Sequence, residues 1–257
     1  MQTTVRKNPT TSVALIIPAR WGSSRFPGKC LYPLAGKPLV QHVWERCLQA
    51  KNIARILIAT DDDRIAESAL NFGAEVVMTS PDHPSGTDRI AEAAASLQNF
   101  THFINVQGDE PLIEPQLIET LASTLLSDPK IGMITAATPF ENPQEAADPN
   151  TVKVVLGNSG DALYFSRSII PFHRDAHDPE SSMIPLLHLG IYGYRSDILK
   201  KLVGLPPTLL ERCEKLEQLR ALEYGISIRV IQTDHRGIGV DTPADALAVE
   251  QLLLEKS

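Results

Sequence analysis

Five short apolar runs punctuate the first half of this 257-residue chain. Val13–Ile17, Arg55–Ala59, Glu75–Met78, Phe103–Val106 and Met133–Ala137 are rich in β-branched residues and mostly apolar on both faces. Runs of that kind suit strands of a parallel sheet covered on both sides. Between them the apolar positions recur at helical spacing. Ile65, Ala66, Ala69 and Leu70 share one face, with Asp61 as N-cap and Gly73 as the stop. Ile90, Ala93, Ala94 and Leu97 make a second stripe behind Thr87, and Ile118, Leu121, Ala122 and Leu125 a third, with Pro115 suited to its first turn. Repeated strand–helix–strand units predict an α/β fold with a doubly wound, mostly parallel sheet.

The second half is less regular. Val152–Leu156 and Ala162–Phe165 flank Gly157-Asn158-Ser159-Gly160-Asp161, the signature of a hairpin. Residues 173–183 read as an exposed loop. Leu189–Tyr194 and Ser227–Gln232 read as strands and Leu209–Leu222 as one helix. A last helix starts after Asp241-Thr242-Pro243, with Ala244, Leu247, Ala248 and Leu252 inward. No repeat or linker interrupts the chain. The expectation is a disordered stretch over 1–11 and one domain over 12–257, a sheet made mixed by its antiparallel extension.

Composition narrows the class. A net charge of −7 argues against a nucleic-acid binder, which would carry a basic stripe. Three cysteines, with no CxxC among them, indicate neither a disulfide framework nor a zinc site and fit a reducing cytoplasm. The N-terminal apolar run is too short for a signal peptide, and no run approaches the length of a membrane span.

Against that acidic balance, PARWGSSRFPGK (18–29) stands out. It follows the first strand and holds Arg20, Arg25 and Lys29, while the first acidic residue of the chain is Glu45. Loops leaving the carboxyl end of a parallel strand bind ligands in open α/β sheets. Gly22 and Gly28 allow close backbone approach, and the cations suit a polyphosphate. The stretch is not a Walker A loop, because five residues separate its glycines and Cys30 follows the lysine. GxGxxG is missing too.

Acidic partners come from elsewhere. Asp109, in Gln107-Gly108-Asp109-Glu110-Pro111, ends another core strand and so falls on the same rim. A carboxylate there can hold magnesium beside phosphates, although Gly-Asp-Glu-Pro read alone is equally a turn. Asp241 offers a second carboxylate, in a segment that is also a good helix start. Asp61-Asp62-Asp63 reads as a solvated first turn. His83-Pro84-Ser85-Gly86-Thr87-Asp88-Arg89 can hold a base or ribose, or simply cap a helix. The histidines show no metal-ligand spacing, and no GxSxG or serine–histidine–aspartate set is present.

Taken together and in order, these stretches resemble one family. IIPARWGSSRFPGK, ATDD, MTSPDHPSGTDR, NVQGDEP, DPNTVKVV, ALYFSRSIIPF, HLGIYGYR, LEQLRALEYG and GVDTP are similar to the CMP-Kdo synthetases, or 3-deoxy-manno-octulosonate cytidylyltransferases. PAR…R.PGK marks only the wider sugar nucleotidyltransferases, whereas YFSR, HLGIYGYR and EQLR point to Kdo. The resemblance implies the nucleotide-diphospho-sugar transferase fold, with the antiparallel extension serving dimerisation. It implies transfer of CMP from CTP to Kdo with Mg²⁺, releasing pyrophosphate, for lipopolysaccharide synthesis by a cytoplasmic homodimer. Pro18, Ala19, Arg20, Ser23, Ser24, Arg25, Lys29, Ser85, Gly86, Thr87, Gln107 and Gly108 would then lie against CTP. Asp109 and Asp241 would hold magnesium, and Arg20, Lys29, Asp109 and Asp241 would be catalytic. Arg167, His188, Tyr192, Glu217 and Gln218 would surround the sugar acid, Arg167 on its carboxylate. Read without the family, Arg167 is a structural ion pair, Tyr192 core, and Glu217 a surface charge beside Arg220 or Lys215.

Overall fold

A computed structural model of the chain describes residues 12–22, 26–174 and 185–255. Its strands are β1 (Val13–Ala19), β2 (Pro33–Leu34), β3 (Lys37–Pro38), β4 (Arg55–Thr60), β5 (Glu75–Met78), β6 (His102–Asn105), β7 (Met133–Pro139), β8 (Lys153–Leu156), β9 (Ala162–Ser166), β10 (Leu186–Arg195) and β11 (Ile228–Gln232). Nine of them form one mixed sheet in the order β11-β7-β10-β6-β1-β4-β5, with β8 joined to β10 and β9 to β8. β2 and β3 form a small separate hairpin. Each strand expected from the apolar runs is present, shifted by at most a few residues. β5 is an edge strand, so its Met78 is half exposed rather than covered on both faces.

The order of pairing creates the site. β1 lies parallel to β4 on one side and to β6 on the other. The chain runs outward from β1 to β4 and β5, then returns to lay β6 against the opposite side of β1. That reversal opens a crevice at the carboxyl ends of β1 and β6, where the loops diverge. Val13, Leu15 and Ile17 of β1 pack into the core of one sheet face, and Ala14 and Ile16 into that of the other, so the strand carrying the cationic loop is anchored from both sides.

β10 is the antiparallel intruder. It pairs with β6 and β7, and its Tyr192 stands opposite Asn105, the last residue of β6. Residues before Tyr192 therefore run past the end of β6 and over the crevice. Two extra residues, Gly190 and Ile191, separate the pairs Leu189–Ala136 and Tyr192–Thr135. An insertion of two keeps the alternation, so His188 and Tyr192 stay on one side, ring centroids 5.3 Å apart. The β8–β9 hairpin is the antiparallel extension that the glycine-rich turn predicts.

β10 also tolerates no side chain at Gly193. A Cβ there would lie 2.6 Å from Leu125, 2.7 Å from Ile134 and 2.9 Å from Ile104, all buried. Gly193→Ala is expected to destabilise the chain by about 1–3 kcal/mol through overpacking. Calorimetry should show the melting temperature falling by roughly 3–10 °C.

Four helices depart from expectation. The N-cap of helix Asp63–Asn71 is Asp62, whose side chain accepts from the Arg64 amide; Asp61 turns inward to Arg89. That helix buries Ile65 and Ala69 while Leu70 faces solvent. The cap before Gly86–Ala95 is Ser85, and Thr87 lies in the first turn. Leu209–Leu222 is two helices, Leu209–Glu214 and Gln218–Glu223, because Lys215 takes a left-handed conformation (φ 54°) between them. The last helix, Pro243–Glu255, turns Ala246 and Val249 inward rather than Ala244, Leu247 and Ala248. Apolar residues run around most of that helix, so periodicity alone does not choose its face. Among the described residues no helix is long and apolar enough to cross a membrane.

Candidate active site

A cavity of about 210 Å³ opens at the carboxyl ends of β1 and β6, lined by Pro18, Ala19, Arg20, Lys29, Gly108 and the two aspartates Asp109 and Asp241, among others. At its base the Lys29 ammonium lies 2.5 Å from Asp109 Oδ2 and 3.1 Å from Asp241 Oδ1, and donates to the Val240 carbonyl at 3.1 Å. These residues come from three distant segments. The Val240 amide donates to the Asp109 carbonyl at 2.8 Å, stitching the turn after β6 to the segment before the last helix. Asp245 completes the stitch by accepting from the Asp241 and Thr242 amides, with Thr242 capping in return. The good helix start and the carboxylate therefore coexist in one segment.

Burial of the Lys29 ammonium disfavours its charge, but the charges and hydrogen bonds of Asp109 and Asp241 outweigh this and raise its pKa above the ordinary lysine value. Glu110 behaves oppositely. Burial, with the Asp109 charge beside it, pushes its carboxyl up to about 8.

The cationic loop is closed by packing. Gly28 is left-handed (φ 71°), and a Cβ there would meet the Trp21 ring at 2.8 Å. The Gly28 amide donates to the Trp21 carbonyl, and the Arg64 guanidinium caps the indole face 3.3 Å from its centroid. Ser23, Ser24 and Arg25 lie outside the described residues, as does most of the loop expected over 173–183.

A second cavity, of about 320 Å³, adjoins the first across a shared wall of Ser85, Gly86 and Gln107. Thr87, His188, Tyr192, Glu217 and Gln218 line it. Thr87 Oγ1 donates to Glu217 Oε2 at 2.9 Å, while Arg220 pairs with Glu211 instead. The left-handed Lys215 turns the chain so that Glu217 and Gln218 enter the cavity rather than continuing along a helix face. His188 Nε2 lies 2.9 Å from Thr135 Oγ1, and the Thr135 hydroxyl donates to the Ile191 carbonyl at 2.7 Å. The threonine proton being spent there, His188 donates from Nε2 and keeps Nδ1 as an acceptor. Burial holds its pKa down at about 3, so the ring is neutral. Burial likewise raises the Tyr192 phenol well above its ordinary range.

Arg167 stands apart from this group. Its guanidinium donates to the carbonyls of Pro149, Glu214 and Lys215, and it does not line the cavity. It grips the bend that presents Glu217.

Burial raises the Glu217 carboxyl above the ordinary glutamate pKa, although Thr87 donates to it. A carboxylate whose folded-state pKa exceeds its unfolded value weighs against folding above that pKa, and the penalty vanishes below the unfolded value near 4.5. Glu217→Gln should therefore melt higher than the parent chain at pH 7.5, with the gap closing towards pH 4. Thermal scans at both pH values test this; an equal gap at the two would remove the carboxylate's charge as the cause.

Sequence reasoning missed Arg89, 3% exposed in the wall of the first cavity, where it donates to Thr79 and Asp61. Its signal was available: it stands one helical turn before Ala93, on a stripe otherwise apolar.

With this geometry in place, the relatives are informative. Residues 14–228 match the family model described as Cytidylyltransferase. The 3-deoxy-manno-octulosonate cytidylyltransferase of Syntrophotalea carbinolica is 51% identical over 244 residues, covering 93% of this chain and 97% of that protein. Its counterpart from Geobacter sulfurreducens is 48% identical over 241 residues, covering 91% and 96%. The structure of a CMP:2-keto-3-deoxy-manno-octonic acid synthetase complexed with CTP superposes with a TM-score of 0.91 at 44% identity, over 96% of this chain and 100% of the other. The chain belongs to the 3-deoxy-manno-octulosonate cytidylyltransferase family.

Proposed function

We propose that this chain transfers CMP from CTP to the anomeric hydroxyl of 3-deoxy-D-manno-octulosonate, releasing pyrophosphate and supplying CMP-Kdo for lipopolysaccharide synthesis. One observation carries the reading: a cavity where Arg20, Lys29, Asp109 and Asp241 converge shares a wall with a second cavity lined by hydroxyl, imidazole and carboxamide groups suited to a sugar. CTP occupies the first, with its triphosphate towards Arg20 and Lys29 and its nucleoside along Pro18, Ala19, Ser85, Gly86, Gln107 and Gly108. Ser23, Ser24 and Arg25 complete the nucleotide's surroundings; Thr87, expected against CTP, lines the second cavity instead. Kdo occupies the second.

Asp109 and Asp241 fit magnesium. They are two carboxylates already converged on one cation, and a pair of carboxylates with substrate phosphates is the usual magnesium donor set. Among the described residues no larger cluster of His, Cys, Asp or Glu competes for the ion. Bound there, magnesium supplies Lewis acidity and charge neutralisation at the phosphates. The chain's own groups do the rest. Arg20 and Lys29 stabilise negative charge growing on the departing pyrophosphate, a preorganised effect worth ~3–4 kcal/mol per donor at its strongest. Neutral His188 and Gln218 orient the sugar hydroxyls, with Tyr192 behind them. Glu217, held by Thr87 in the second cavity, fixes the sugar's orientation towards the nucleotide. Arg167 supports the sugar site through the 214–215 bend that it holds.

The hairpin extension and its sequel expose Leu163, Ile169 and Phe172, the last 87% exposed. Apolar exposure of that extent suits a homodimer contact, which sedimentation velocity reads as a species of twice the chain mass. A reaction that consumes CTP suits a cytoplasmic protein.

A coupled pyrophosphate assay tests the activity. Turnover is expected with CTP and Kdo in Mg²⁺ and not after its removal by chelation. Release with N-acetylneuraminate or a sugar phosphate and none with Kdo would reassign the sugar. Tight CTP binding with no turnover on any of them would make the chain a nucleotide-binding protein.

A further inference from the structure

The Lys29 ammonium has three hydrogens and three oxygens around it: Asp109 Oδ2, Asp241 Oδ1 and the Val240 carbonyl. It is only 13% exposed, and two of those oxygens belong to the carboxylates assigned above to magnesium. A lysine meant only for phosphate would point at open cavity. This one is saturated by the metal-binding carboxylates. We propose that Lys29 is a resident surrogate cation, holding Asp109 and Asp241 in register before nucleotide binds and yielding that place to the divalent ion as the triphosphate arrives. The inference rests on the assignment of those aspartates to magnesium.

The physical case has three steps. Two carboxylates brought together without a counter-ion repel, so the chain needs a cation there to fold the site. A divalent ion and an ammonium compete for the same pair of carboxylates, since they carry like charge and repel each other there. Lys29 has a flexible four-carbon stem and lines the same cavity as Arg20 and Gly108, so the triphosphate offers its ammonium a replacement anion within reach. The carboxylates it leaves are then free for the ion that accompanies the nucleotide. Metal and nucleotide consequently load cooperatively, and each favours the other by the same factor. The benefit is that the folded chain does not commit its carboxylates to a metal before substrate is present.

Mn²⁺ is the probe, with the free ion counted by electron paramagnetic resonance in the absence of nucleotide. The parent chain should bind Mn²⁺ weakly. Lys29→Met, which keeps the stem and removes the charge, should bind it at least about tenfold more tightly, within the usual range of coupling between sites. Lys29→Arg keeps a cation in place and should remain weak. In chelator the Lys29→Met chain should melt lower than the parent and recover on adding Mn²⁺. Equal or weaker Mn²⁺ binding by Lys29→Met overturns the proposal. Lys29→Gln is read in the same way if the methionine variant folds in neither medium. A double variant, Lys29→Met with Asp109→Asn, separates this inference from the one beneath it. If Mn²⁺ binds Lys29→Met tightly and the double variant equally so, the metal is not on Asp109 and the site assignment falls. If Lys29→Met gains nothing while Asp109→Asn still abolishes Mg²⁺-dependent turnover, the assignment stands and only the surrogate role is lost.

Discussion

Asp109→Asn is expected to lower kcat by on the order of 10²–10³-fold while CTP affinity changes by less than about tenfold. The asymmetry follows from where the residue sits. The triphosphate is gripped largely by Arg20 and Lys29, which the substitution leaves in the cavity, so ground-state binding survives. Asp109 is proposed to hold the metal that neutralises the leaving group, a contribution that grows as the bond breaks. A thousandfold loss corresponds to about 4 kcal/mol of transition-state stabilisation. Asparagine is nearly isosteric and the Val240 amide bonds the backbone of residue 109, so the turn should hold its shape. Asp241→Asn should fall in the same direction but less far, because Asp241 is more exposed, at 49% against 29%, and farther from the ammonium. Steady-state turnover at saturating CTP and Kdo gives the first number and calorimetric titration of CTP the second. A kcat within threefold of the parent would take Asp109 out of the metal site.

Much of this arrangement was legible in the chain. A parallel sheet covered on both faces demands continuous apolar strands, and Val13–Ile17 and Met133–Ala137 meet that demand. A ligand rim at the carboxyl ends of such strands follows from topology, so a cationic loop after β1 and a carboxylate after β6 had to share an edge. Asp241 was harder. Nothing local distinguishes it from a helix cap; only the backbone bond from Val240 to Asp109, made across more than a hundred residues, brings it in.

What was not legible has a common cause: tertiary contacts overruling local preference. Residues 209–222 contain no glycine or proline and read as one helix, yet Lys215 adopts a left-handed turn that Arg167 stabilises by donating to the carbonyls of residues 214 and 215. An arginine whose contacts are backbone carbonyls leaves no charge pattern to find. Asp61 reads as a cap by position, but a buried Arg89 takes it and the neighbouring Asp62 caps instead. In both cases a strained or displaced local choice delivers side chains to a cavity wall, which is where local and global preference are expected to disagree.

Gly108→Ala should cost about 10–100-fold in kcat/KM, although it adds one methyl to a residue with no catalytic group. Gly108 has an ordinary backbone conformation, so the constraint is space rather than torsion. A Cβ on it would stand 2.7 Å from the Pro18 carbonyl oxygen, with Ile17 at 3.6 Å and Ala19 at 3.7 Å. The nearest atom is backbone of the central strand, held by β4 and β6 on its two sides, and it cannot swing away as a side chain would. The turn after β6 must therefore retreat from β1 by several tenths of an ångström. Asp109 is the next residue, and its contact with Lys29 of β1's loop is the link across that gap. Opening it misaligns the carboxylate with the cations opposite, and displacements of about 1 Å are worth about 10²-fold in rate. Overpacking should lower stability by about 1–3 kcal/mol, so assays belong well below the melting transition. Gly239→Ala is the matched control: it too lies near an aspartate of the site, but its Cβ meets nothing within 4 Å. If Gly108→Ala and Gly239→Ala have the same kcat/KM, the close approach of the two strand exits does not set the geometry of the reaction, and the convergence of Lys29 and Asp109 must be maintained by the Val240 stitch alone.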